Sequence, residues 1–236
     1  MFIDAPAENC RVVAKTGRPA PASLERLAAF GAAHIGDAQD RFGLMDARIA
    51  VQWPGARCVG VALTVQTREG DNLALHRALD EARPGDVLVV NGRGDGNRAI
   101  FGDLLAEICL AREVSGVVLD GATRDRDAIA ELRLPLWATG VTPAGPTKNG
   151  PGVIGEPIAC GGVVVAPGDV IVADGDGVAV IRPDRLAAVV ARLAAIDLAE
   201  ADLRRRIRQS TRRSDRLESP TTDRTEPSQV QKGSAR

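Results

Sequence analysis

The chain has 236 residues, 44 % of them hydrophobic and 26 % charged, with a formal net charge of −1, a balance ordinary for a folded globular protein. That charge offers no global field for nucleic acid or an anionic membrane, and an aromatic share of 3 % without tyrosine leaves few surfaces for base stacking. No stretch reaches the ~20 apolar residues a membrane helix needs, and the N-terminus lacks a signal peptide's basic-then-apolar order, so the expectation is a cytoplasmic chain with no membrane partner.

Residues 1–22 carry proline and polar residues and read as an irregular arm. Ser23 is placed to cap a helix from Leu24, interrupted or bent by Gly31 and Gly36. The β-branched run 58–67 predicts a strand. Asp71 then caps a short helix over 72–82, closed by Pro84–Gly85. Residues 86–90 read as a buried strand, followed by a glycine-rich loop at 91–97. Leu104, Leu105, Ile108 and Cys109 recur at helical spacing and predict a helix over 102–114. A strand at 117–119, a loop at 120–125, a helix at 126–132 and a strand at 136–138 complete the alternating part. Residues 140–162 hold too many Gly and Pro for a regular element. Three short strands follow at 163–166, 170–173 and 178–181, the last two joined by a turn at Asp174–Gly177. Pro183 opens a long helix to about Arg208. The organisation expected is therefore an arm (1–22), one domain with its C-terminal helix (23–209) and a disordered tail (210–236).

Several chemistries have little to draw on. The four cysteines are far apart and match no zinc spacing. There are two histidines, and His76, in an amphipathic stretch, reads as surface or core filler. Lys15, Lys148 and Lys232 lie in the arm, a Gly/Pro-rich loop and the tail, none on a predicted core strand, which disfavours a Schiff-base lysine in a desolvated pocket. The loop Gly92–Asn97 lacks the third glycine of a dinucleotide loop and reads as an active-site rim. The basic run Arg204–Arg208 reads as a solvated helix end.

Two segments carry chemistry when taken together. The first amides of a helix starting at Gly102–Asp103, those of Leu104 and Leu105 included, have no intrahelical partner and suit a carboxylate or phosphate. The loop after the next strand ends in Arg124–Asp125. Loops at the same strand ends share one edge, where ligands bind. Arg124 can hold a carboxylate through its planar fork, and Asp125 with Asp103 offers hard oxygen to Mg²⁺ or Mn²⁺. Gly-Asp is also an ordinary helix cap, and Arg-Asp an ordinary solvated pair.

The blocks Glu69–Asn72, Gly102–Ala106, Gly116–Asp125 and Gly161–Val180 follow one another in an order that resembles the family of 4-hydroxy-4-methyl-2-oxoglutarate aldolase and the regulator of ribonuclease E activity, over roughly residues 23–205. The resemblance implies an αββα sandwich of the swivelling β/β/α type that assembles as a homotrimer or a pair of trimers. It implies a class II pyruvate aldolase acting on 4-hydroxy-2-oxo acids, with oxaloacetate decarboxylation at the same site. Asp125 then resembles the direct metal ligand and Arg124 the contact to the substrate's carboxylate and oxo group. Gly102, Asp103, Leu104 and Leu105 resemble the substrate-binding helix start, with Asp103 also positioning a water. Glu200 stands where a neighbouring subunit's glutamate would reach the ion through water. The rival reading is a non-catalytic regulator that binds a ribonuclease, and a nicotinamide oxidoreductase is third.

Overall fold

The computed structural model describes residues 9–13 and 17–217, with side chains to residue 210. The chain forms two units, 1–196 and 197–236. In chain order the elements are β1 (Cys10–Val12), α1 (Pro21–Leu27), α2 (Ala32–Ala38), β2 (Ala50–Val51), β3 (Cys58–Thr67), α3 (Leu73–Glu81), β4 (Asp86–Asn91), β5 (Ala99–Phe101) and α4 (Asp103–Ala111). Then come β6 (Gly116–Thr123), α5 (Arg126–Leu132), β7 (Leu136–Val141), β8 (Gly152–Ile154), β9 (Ile158–Cys160), β10 (Val163–Val165), β11 (Val170–Asp174), β12 (Gly177–Ile181) and α6 (Leu186–Leu217).

The first unit is an α/β sandwich whose layers follow from side-chain alternation. Strands β3, β4, β6 and β7 lie side by side and parallel, in sequence order. Crossovers of one hand keep α3, α4 and α5 on one face. Leu88, Val90, Val117 and Leu119 point into that face, against Leu73, Leu79, Leu105 and Ile129. Their neighbours Val87, Val89 and Val118 point the other way, into a second core with Met45, Ile49 and Trp137. The hairpin β11–β12 closes that second core with Ile171, Ala173, Val178 and Val180. Its opposite face, Val170, Val172, Ala179 and Ile181, packs on Leu27, Ile35 and the start of α6 at Leu186, Val189 and Leu193. Helices, sheet, hairpin and helices thus form the αββα order. Strand β3 joins the layers, pairing β4 along one edge and both β11 and β8 along the other.

The structure departs from the sequence expectations in definite places. The arm contains β1, which pairs in parallel with β8. Helix α1 starts earlier than Leu24, with Pro21 in its first turn rather than a Ser23 cap. Gly31 does separate two helices, and Gly36 lies inside the second, where a Cβ would meet Leu44 Cδ1 at 2.9 Å. The 140–162 segment holds β8 and β9, each three residues long. Strand β6 runs on through Asp120–Thr123, where its end pairs both with β5, absent from the sequence reading, and with a β7 that extends to Val141.

In the second unit, α6 runs past Arg208 to Leu217. Ion pairs of Arg204 with Glu200 and of Arg205 and Arg206 with Asp202, three or four residues apart, support that helix. The rest of the expected disordered tail, 218–236, lies outside the described residues, as do 1–8 and 14–16 of the arm. Among the described residues no helix is long and apolar enough to cross a membrane.

Candidate functional site

Strand β5 pairs in parallel with the last residues of β6, Ala99 with Ala122 and Phe101 with Thr123. Both strands therefore end at one edge, and each runs into a helix. The two segments picked out in the sequence meet there. Arg124 N donates to Phe101 O at 3.0 Å, and Thr123 Oγ1 to the same carbonyl at 3.2 Å. Asp125, the residue before α5, adopts the left-handed conformation (φ 55°, ψ 35°), which Asp tolerates better than most residues. Its Oδ2 accepts from Arg124 Nε at 3.1 Å and from Asp103 N at 3.4 Å. Asp103 Oδ1 accepts from Leu104 N at 2.8 Å.

Gly102 is needed for space. Its φ of −157° is ordinary extended backbone. A Cβ there would lie 2.7 Å from Asp125 Oδ2 and 3.1 Å from Arg124 Nε. Leu104 is 66 % exposed and its amide is taken by Asp103. Leu105 is buried, so its side chain belongs to the core and only its backbone can serve a ligand. Glu200 belongs to the second unit and pairs with Arg204.

A cleft of about 290 Å³ opens from this edge, lined by Phe101–Leu105 and Arg124 and, from other elements, by Asn72, His76, Gly145, Pro146 and Lys148. Sequence reasoning missed this second group. Asn72 and His76 are four residues apart at the start of α3 and share a face of it. Both are buried, and Asn72 Oδ1 and both His76 ring nitrogens have no hydrogen-bond partner among the described residues. Such groups are costly unless a ligand or water completes them. Burial and then the positive Lys148 push the His76 pKa down to about 4, with Asp80 opposing, so the imidazole is neutral at pH 7. Of the two readings of His76, surface or core, the structure selects the buried one.

The loop at 91–97 does not behave as the expected rim. Gly92 N and Gly94 N donate to Asp120 O, and Ala122 N donates to Asp95 O. None of its residues lines the Arg124 cleft. The turn at Asp174–Gly177 is a plain hairpin turn, as expected, with Asp174 also accepting from Ala32 N at the start of α2.

Among the described residues no three His, Cys, Asp or Glu side chains gather as a metal cage. Mg²⁺ commonly takes one or two carboxylates and keeps several waters, so Asp125 with Asp103 close by is a donor set that fits such an ion. All four cysteines are buried, and burial raises each thiol's pKa, as it would for inert core residues.

Fold and site together define an α/β sandwich with an Arg-Asp pair and a helix N-terminus at one sheet edge. The RraA-like family model, described as Aldolase/RraA, matches residues 32–180, and the chain belongs to that family. A protein of Halalkalibacterium halodurans, provisionally named a 4-hydroxy-4-methyl-2-oxoglutarate aldolase, is 44 % identical over 147 residues, 62 % of this chain and 70 % of that one. Two solved structures are similar at 29 % identity. Streptomyces coelicolor RraAS2, described as an unusual member of the RNase ES inhibitor RraA protein family, has a TM-score of 0.72 over 80 % of this chain and 98 % of its own. The RNA-processing inhibitor RraA from Thermus thermophilis has a TM-score of 0.60 over 64 % and 92 %. The expectation that nucleic acid plays no part gains nothing from these relatives, since two concern RNA processing.

Proposed function

We propose that the chain is a divalent-metal-dependent aldolase that cleaves 4-hydroxy-2-oxo acids, such as 4-hydroxy-4-methyl-2-oxoglutarate or 4-carboxy-4-hydroxy-2-oxoadipate, and releases pyruvate. The observation that carries this is one cleft with Arg124 and the α4 N-terminus among its lining residues, together with unpartnered polar groups and a cation from elsewhere in the chain. Arg124 would hold the substrate's 1-carboxylate and 2-oxo oxygen through its fork, helped by the α4 N-terminus. Asp125 and Asp103 would hold Mg²⁺ or Mn²⁺. When bound, that ion supplies Lewis acidity toward the 2-oxo group. Lys148 with neutral His76 and Asn72 would receive a carboxylate at the substrate's far end.

The 4-hydroxyl would give its proton to a hydroxide that Asp103 orders, and become a carbonyl as the bond between carbons 3 and 4 breaks; that hydroxide becomes the water that serves carbon 3. The bonding pair moves onto the pyruvate half as its enolate. A water ordered by Asp103 returns a proton to carbon 3. In oxaloacetate, loss of carbon dioxide leaves the same enolate, so decarboxylation would share the site. The homotrimeric or hexameric assembly, and Glu200 reaching a neighbouring ion through water, belong to this proposal.

The inhibitor descriptions of the solved neighbours favour a second reading, a regulator that binds a ribonuclease. A panel of 4-hydroxy-2-oxo acids and oxaloacetate, assayed by coupled pyruvate detection with Mg²⁺, separates the two. Turnover of at least one panel member is expected. Ribonuclease inhibition without pyruvate release from any of them would overturn the enzyme reading.

A further inference from the structure

Asp71 is fully buried, and its carboxylate makes more bonds than a helix cap requires. Oδ1 accepts from Leu73 N, the first amide of α3, at 3.0 Å, although Asn72 holds the cap position. The same oxygen accepts from Gly150 N at 3.1 Å. Oδ2 accepts from Asn149 N at 2.7 Å and from Thr147 Oγ1 at 2.8 Å. Arg68 Nη2, at 3.5 Å, supplies a countercharge. Burial of the carboxylate raises its pKa, yet the bonds from Asn149, Leu73, Thr147 and Gly150 outweigh that and hold it below the ordinary value. It is therefore ionised at pH 7.

Three of the four donors belong to the turn that carries Lys148, and Thr147 and Asn149 flank that lysine. Backbone bonds continue the seam, with Asn72 N donating to Thr147 O at 3.0 Å and Thr147 N to Gly70 O at 2.8 Å. The Lys148 side chain takes part in none of these bonds and lines the cleft. Asn72 is the next residue in the chain, and His76 lies one helical turn further on. One buried carboxylate therefore joins both segments of this part of the cleft wall. A lysine is a point charge on a flexible stem, so where it acts depends on where its backbone is held.

We infer that Asp71 is a positioning residue that fixes Lys148 in the cleft it shares with Arg124 and so sets selectivity for substrates whose far end is a carboxylate. This rests on the aldolase reading above. Asp71→Asn is close to isosteric but replaces one accepting oxygen by an amide that cannot accept. Pyruvate release is measured on 4-hydroxy-4-methyl-2-oxoglutarate, which has a far carboxylate, and on 4-hydroxy-2-oxopentanoate, which has a methyl group there. KM for the first should rise ~10-fold in Asp71→Asn with kcat changed by less than ~3-fold, while KM for the second stays near the parental value. In a Lys148→Met background the same substitution should add less than ~2-fold, because both changes remove one interaction. Equal effects on the two substrates, or full additivity with Lys148→Met, would overturn the inference and leave Asp71 with a structural role alone.

Amide hydrogen exchange without ligand keeps the clasp separate from the activity. Protection at 147–150 should fall ~10-fold in Asp71→Asn while α4 and α5 are unchanged. If protection did not change, the clasp itself would be wrong. A parent that releases pyruvate from no member of the panel would instead overturn the aldolase reading, and the selectivity with it; release from other members but from neither of these two would overturn the selectivity alone.

Discussion

The sheet edge and the far wall of the cleft that opens from it are built in opposite ways. At the sheet edge Arg124 and Asp125 are adjacent in the chain and about two-fifths exposed, and each already has a partner in the other. In the other part, Asn72 and His76 are buried, lack partners for several polar atoms, and share the cleft with a lysine from a distant turn. Partnered and wet groups are inexpensive to maintain and can be exchanged for a ligand. Buried and unpartnered ones destabilise the empty protein, so their persistence points to something that completes them. On this account the first part does the chemistry and the second chooses the substrate.

The comparison breaks most sharply at Arg124. Arg124→Lys keeps the charge but loses the fork, and a substrate held by one point charge is misaligned for carbon–carbon cleavage. Catalytic efficiency should fall on the order of 10²-fold or more, about 2.7 kcal/mol of transition-state stabilisation. If Arg124–Asp125 were only a surface pair, worth under about 1 kcal/mol, the variant would react like the parent. Steady-state kinetics on the best substrate of the panel decides between them.

A smaller effect sharpens the other side. His76 is held neutral, with its pKa lowered from 6.5 to about 4. Between those values the unfolded chain takes up a proton that the folded chain refuses. His76 therefore contributes stability that is complete above about pH 6.5 and lost as pH falls toward 4. After allowance for solvent in the cleft, the loss is on the order of 1–2 kcal/mol. Urea midpoints at pH 7 and pH 4.5 should differ less in His76→Gln than in the parent. An identical difference in both would mean that the imidazole is not buried against Lys148 as described.

How far the sequence reveals this molecule depends on how local each feature is. The runs that became β3, β4, β11 and β12 are legible because alternation or continuous β-branching marks a strand by itself. Arg124–Asp125 and Gly102–Asp103 are legible because each is a helix start. Strands β1, β5 and β8 are three residues long and exist through pairing with distant partners, which no local pattern reports. The same holds for the second part of the cleft. Asp71 reads as a helix cap, whereas Asn72 holds that position; Asp71 bonds the first amide of α3, and its bonds to 147–150 join segments more than 70 residues apart. The amphipathic pattern of α3 shows a buried face without showing that His76 lies on it beside Lys148. The family blocks supplied Glu69–Asn72 as a unit without giving its role.

The central claim is that Asp125, supported by Asp103, holds a divalent ion that the reaction needs. Pyruvate release by the parent and by Asp125→Asn across a Mn²⁺ titration, starting from EDTA-treated protein, tests it most directly. The metal-free parent should show no turnover and recover on adding Mn²⁺, and the variant should need a higher Mn²⁺ concentration and regain part of the rate. Full turnover in the metal-free parent, or a variant whose titration overlays the parent's, would contradict it.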